Sequence, residues 1–394
     1  MGKTMMVTVA AITLLIIVGL AGINYLPTGV NHQPVGASTG SATTSTASPV
    51  GSTASGEAAR TVTNSAGSWL PDDPAFGNSS KIDYPPDYSI LANFTLGLVN
   101  KDRVSAGLGP VTLSNVPSGQ QHADSMAYYG YFSHWDNQGY KPYMRYTLLG
   151  GTGSVEENAA LNYCNTSPAD SPKPTSAPCS LKTVENAINS SEWEMMNNDT
   201  VCCSGGHRSN ILGPIHNRVS VGVAYNSTTV FLVEDFENSY ISAGSVQLSA
   251  GVVTFLGSLQ QGGSSWMGHA SGAEITVYHD PMPSDISVNK LSFLPVCDKY
   301  NELNEPTGCQ YQGAYNPGTQ ISTVFPPCPA NHTCAGGNYT YAQSWLENSG
   351  NFEIVFPFNE LQSAYGSGVY TFYLWPAASA PEPITSLSVF VGGA

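Results

Sequence analysis

His134 and His207, with Glu157 and Glu194 lying between them in the chain, are the residues whose types could carry chemistry. His207 stands in "SGGHRSNILGP", residues 204–214, and His134 in "GYFSHWDNQG", residues 130–139. Glu157 is followed by Asn158 in "GSVEENAAL", and a third segment supplies Glu192 and Glu194. Two neutral imidazoles with an open coordination position can hold a zinc-like ion. Nearby carboxylates can orient such rings or take a proton from a bound water. Spacing alone leaves a bland use open for each. His134 can cap a helix end, Glu157 and Asn158 can bond neighbouring loops, His207 can be a satisfied turn histidine, and Arg208 can anchor a carboxylate or carbonyl. His122, His216, His269 and His279 read as surface or packing residues, and Glu234 and Asp235, at a strand end, as solvated.

The elements that must position these groups are legible in part. "PPDYSILANFTLGLVNKDRVSAG" offers Asp87 as an N-cap, Leu91, Phe94 and Leu98 at helical spacing, and Gly107 as a stop. "SGQQHADSMAYYGYF" reads as a second helix with Ala123, Met126, Ala127 and Gly130 on its small apolar face, so His134 falls at its exit. "KTVENAINSSEWEMMNN" reads as a third, carried by Val184, Ile188 and Met195. "VSVGVAYN" and "TTVFLVEDFE" are β-branched and alternate, which predicts paired strands around "NST". Helices followed by strands without regular alternation argue an α+β domain. After about Ala243 short strand candidates, among them "SVQLSAGVVTFLG", "AEITVYHD", "LSFLPV", "FEIVFPF" and "GVYTFYLWP", predict a second, all-β, sandwich-like domain over 244–394.

Composition bounds the setting. The formal charge of -15, with 13 Lys and Arg, argues against a nucleic-acid partner, which needs clustered positive charge. From Met5 to Ile23 no side chain is ionisable, and this run at 1.5 Å per residue spans roughly 28 Å, a bilayer core. It reads as an N-terminal signal anchor, a transmembrane helix over 1–26, and Lys3 on its short side sets the N-terminus in the cytoplasm and the bulk of the chain outside. Cleavage near Ala21 would instead release a secreted protein. Residues 27–80 are Ser/Thr/Gly-rich and read as a flexible stalk. Cys164, Cys179, Cys202 and Cys203, then Cys297, Cys309, Cys328 and Cys334, form two even groups, suited to disulfides in an oxidising compartment. Sequons at Asn78, Asn93, Asn165, Asn189, Asn198, Asn226, Asn331 and Asn338 are compatible with a glycoprotein.

Residues 88–238 resemble the CAP superfamily of cysteine-rich secretory proteins, venom antigens and plant pathogenesis-related proteins, in its microbial, membrane-tethered form. The match runs in order through "LVNKDRVSAGLGPVTL", "HADSMAYYGYFSHWDNQGYKPYMR", "VEENAAL", "GHRSNILGPIHNRVSVGVAY" and "VFLVEDF". The resemblance implies an α-β-α sandwich over 81–243 and a cleft lined by His134, Glu157, one further acid and His207. Seven residues after Ala187, Glu194 takes the acid position, with Glu192 as the alternative. Glu156 stands where the family has glycine, and "YCNTSPADSPKPTSAPCS" is an insert.

Two functions from different classes follow. One is a binding module for a small ligand, lipid, glycan or cell-surface protein, using the cleft with or without zinc on His134 and His207. The other is a zinc-dependent hydrolase with Glu157 or Glu194 as general base. H-E-x-x-H is absent, and two histidines fall short of the three protein ligands usual for catalytic zinc, which favours binding. A purely structural adhesion protein is a third expectation, suggested by the stalk and the β-rich tail.

Overall fold

A computed structural model describes residues 87–164, 179–199, 205–260, 272–286, 318–330, 334, 339–377 and 380–392, with 296–300 and 306–310 as backbone. The anchor, the stalk, Cys202 and Cys203, His269, the sequons at Asn78, Asn165, Asn331 and Asn338, and most of "LSFLPV" lie outside the described residues. Among those described, no helix is long and apolar enough to cross a membrane. They belong to one compact unit.

The first domain is a four-stranded sheet between two helical layers. Helix α1 (Tyr88–Ser105) leads to β1 (Thr112–Leu113), α2 (Ser118–Tyr129), α3 (Pro142–Leu148), β2 (Ser154–Tyr163), α4 (Leu181–Asn197), α5 (Gly206–Ile211), β3 (Arg218–Tyr225) and β4 (Thr229–Asn238). The strand order is β1-β3-β4-β2, which leaves β2 at an edge. Because side chains alternate across a strand, the sheet feeds two cores. Val219, Val221, Val223, Leu232 and Phe236 pack with Leu91 and Val99 of α1 and with Val184, Ile188 and Met195 of α4. Ala224, Phe231 and Val233 pack on the other face with Ala123 and Met126 of α2 and with Tyr131.

Local chemistry explains the helix ends. Ser180 and Thr183 form a reciprocal capping box at the start of α4. Pro142 opens α3, where its missing N–H costs nothing. Gly107 and Gly130 take positive φ just past α1 and α2. Asp87 occupies the N-cap position of α1, but its side chain does not cap; its carboxylate instead accepts from Tyr225. The closest helix-to-sheet approach is at Gly119 and Gly222, where a Cβ on either would collide with the other element's backbone. The Gln120 amide completes this docking, donating to the Val223 carbonyl and accepting from its N–H.

The second domain holds β5 (Ile241–Ser249), β6 (Val252–Leu259), β7 (Glu274–Asp280), β8 (Val296–Tyr300), β9 (Pro306–Gln310), β10 (Thr319–Phe325), β11 (Tyr339–Tyr341), β12 (Ser344–Asn348), β13 (Asn351–Pro357), helix α6 (Asn359–Tyr365), β14 (Gly368–Trp375) and β15 (Thr385–Val391). Sheets ordered β11-β10-β7-β14-β15 and β12-β13-β6-β5 share one core, in which Val246, Phe255, Ile354 and Phe356 meet Ile275, Val277, Phe372 and Val389. That is a sandwich. β8 and β9 pair separately. Disulfides join Cys164 to Cys179, across the segment before α4, and Cys328 to Cys334.

The sandwich grips α3. Asp280 of β7 accepts from the Lys141 ammonium and the Tyr143 hydroxyl, each at 2.7 Å. Thr147 accepts from the Ser388 N–H, and Ser386 donates its N–H to Gly153 just before β2. Val369 and Phe390 pack with Tyr143, Met144 and Tyr146. Replacing Asp280 by alanine removes a shared buried acceptor. We expect a loss of about 3 kcal/mol in the free energy of unfolding, read from guanidinium denaturation of the full chain.

Candidate functional site

Glu157 sits on β2 with its carboxylate fully buried. Three donors converge on it. His122 Nδ1 of α2 lies 2.9 Å from Oε2, His134 Nδ1 lies 2.9 Å from Oε1, and Arg145 Nη2 of α3 lies 2.6 Å from Oε2. Burial alone would raise the Glu157 pKa, but the charges and hydrogen bonds of these partners hold it well below the usual carboxylate range. Burial, aided by the Arg145 charge, pushes the His122 pKa down to about 4, so this ring is neutral at ordinary pH. Its Nδ1 also lies 2.9 Å from Arg145 Nη2, between that donor and the carboxylate, and Nε2 is left in the interior without a hydrogen bond.

The adjacent residue points the other way. Asn158 faces α4 and α5, where its amide donates to the His207 carbonyl at 3.1 Å. The His207 ring is fixed by Asp199, whose Oδ1 lies 2.6 Å from Nδ1 and whose Oδ2 accepts the Arg208 N–H. Arg208 itself anchors the Met196 carbonyl. Arg103 of α1 holds this corner in place, donating to the carbonyls of Ile211, Gly213 and His216. Both histidines therefore have Nδ1 on a carboxylate, with side chains 15% and 16% exposed.

The acids on α4 fall differently from the sequence expectation. Glu194 is exposed, whereas Glu192 is buried and faces Glu234 of β4. Seven residues turn a helix 20° short of two full turns. Ala187 already lies at the margin of the buried arc formed by Val184, Ile188, Ser191, Glu192 and Met195, so a position seven further on falls outside it. Glu234 and Asp235, expected to be solvated, are wholly buried. They lie directly opposite Asn158 and Glu157 in the β2–β4 register, so pairing carries them into the centre of the sheet. Burial, and Glu157 nearby, raise the Asp235 pKa well above normal; burial raises those of Glu192 and Glu234, and the charge of Glu234 adds to the rise at Glu192.

His122, Arg145 and Asp199 were not anticipated. His122 lies four residues before Met126 and hence on the apolar stripe of α2, a signal that was available. Arg145 is the one charge in "PYMRYTL", and Asp199 reaches His207 only through the fold. His216 is buried and stacked on Phe236, and His279 bonds the Ser367 carbonyl, as packing residues do.

This geometry defines an α-β-α domain with a polar site built around an edge strand. Residues 96–236 match the family described as CAP: Cysteine-rich secretory protein family, and the chain therefore carries a CAP domain. None of the curated proteins compared with the chain matches it.

The His122 titration is directly measurable. Since its folded pKa of about 4 lies below the unfolded value of about 6.5, the unfolded chain protonates first. This ring therefore withdraws stability as pH falls between those values. NMR of the imidazole should show one ring neutral down to about pH 4, absent in His122→Gln.

Proposed function

We propose that the CAP domain is a ligand-binding module that meets its ligand through His134 and His207, displayed outside the cell on a membrane-tethered chain. The observation that carries this reading is the engagement of the Glu157 carboxylate by His122, His134 and Arg145. A general base must keep a lone pair for the proton it takes and a pKa near the working pH. Glu157 has a depressed pKa and three donors upon it, which suits orientation of His134 and not proton transfer. Glu194, on the exposed face of α4, is not held toward either histidine by any hydrogen bond found among the described residues.

Two imidazoles each braced by a carboxylate suit a divalent ion held through Nε2. Among the described residues, no three His, Cys, Asp or Glu side chains are grouped to hold a metal ion. The described residues do not assemble a three-ligand hydrolytic centre. In the binding reading the edge of β2 is where His134 and His207, braced from its two faces, would meet an ion, and the ligand itself, an anionic or polar group of a small molecule, lipid, glycan or protein, would complete it.

Calorimetric titration of the full chain with zinc tests the assignment. The wild type is expected to take up zinc, and His134→Ala combined with His207→Ala to remove that uptake while circular dichroism is unchanged. Equal affinity in the two proteins overturns it. The external, tethered location is supported by the apolar run Met5–Ile23 and the Ser/Thr-rich stretch that follows. Cell fractionation should recover the full-length chain with membranes, and a wholly soluble extracellular product would mean that the anchor is removed.

A further inference from the structure

Four carboxyls, Glu192, Glu234, Asp235 and Glu237, sit in the interior, and a fifth, Glu382, is half-buried at the domain junction. Glu192 of α4 and Glu234 of β4 are 2% and 0% exposed, and the charges bearing on them come from Asp102 of α1 and His207 of α5. Asn158 supplies a long hydrogen bond to Glu234, at 3.5 Å. Through the sheet, Asp235 stands opposite Glu157 and receives the Ser118 hydroxyl at 2.5 Å, while the nearest cation, Arg145, lies on Glu157. Glu237 is buried against the Tyr146 hydroxyl, with Arg218 and His216 near it. At the domain junction Glu382 of the sandwich lies 3.4 Å from His216, whose other nitrogen is 3.7 Å from Glu156. Asn238 also donates to Glu382, and Arg103 and Tyr240 lie close by.

We propose that this chain takes up protons as it folds and is built to work in an acidic medium. Two carboxyls pressed together away from water cannot both ionise, so one proton must reside between Glu192 and Glu234, and another on Asp235. A second, independent observation is the composition. Only 10% of residues are charged, against about 25% in ordinary domains, and with a pI near 4.7 self-repulsion is least in acid. The inference does not depend on what the CAP domain binds.

The direction follows from proton counting. Burial raises the pKa of Glu192, Glu234, Asp235 and Glu382, and brings that of Glu237 to about 7. Each folded carboxyl then holds a proton that the unfolded chain releases near about pH 4, so stability falls as pH rises toward the folded value. Burial opposes protonation of His216, but Glu156, Glu382 and Asn238 outweigh it; its raised pKa extends the loss above about 6.5. His122 works in the opposite direction between about 4 and about 6.5, and is outnumbered; Glu157, held below the usual carboxylate range, opposes them too, but only below about pH 4.5.

Urea unfolding of the full chain across pH decides the matter. The midpoint is expected to be higher at about pH 5 than at about pH 8, with the m-value unchanged. Glu192→Gln, Asp235→Asn and Glu237→Gln should each flatten that dependence, because an amide keeps the shape of the protonated acid without titrating. Three substitutions guard against one of them failing to fold. A midpoint that is constant or higher at about pH 8, or a slope unchanged in every variant that folds, overturns the proposal.

Discussion

The Glu157 carboxylate, out of contact with water, is the constraint on which the rest of the first domain depends. A buried charge is tolerable only when donors replace its lost hydration. Here they come from α2, from the loop that follows it and from α3. Each must arrive within hydrogen-bond distance, so the packing of three segments is tied to one side chain. α2 can come close because Gly119 and Gly222 put backbone against backbone. α3 is set by the sandwich, through Asp280 and the β15 backbone. The second domain is therefore part of the scaffold that positions Arg145.

Edge strand β2 divides the site between two environments. Glu157 and Asn158 are neighbours in sequence but face opposite layers, so one fixes His134 and the other the segment bearing His207. A strand changes faces at every residue, which lets two adjacent side chains brace elements on opposite sides of a sheet. The same alternation in β4 places Glu234 and Asp235 on the two faces. The polar interior is thus a ladder of cross-strand pairs, with acids where a sheet ordinarily has apolar side chains. His134 and His207 are held by comparable means, a carboxylate on Nδ1, although the acids come from different elements. Such bracing favours recognition by fixed groups over a reaction that needs a free base.

The sequence by itself determined the periodic elements and the presence of a CAP domain. α1, α2 and α4 carry helical spacing, β3 and β4 carry alternation, and the motifs around His134, Glu157 and His207 are local strings readable without coordinates. Strand β2 is different: "SVEENAALNY" has little strand character, and its conformation comes from pairing with β4 along its whole length. Short α3 likewise owes its place to contacts with the sandwich. The choice between Glu192 and Glu194 turned on a 20° phase difference that a seven-residue spacing does not resolve. Asp199, His122 and Arg145 entered the site through contacts of 8 to 35 residues' separation. Only tertiary structure decided which acids lost their water and what faced them, because burial and charge pairing belong to the assembled layers and not to any local stretch of chain.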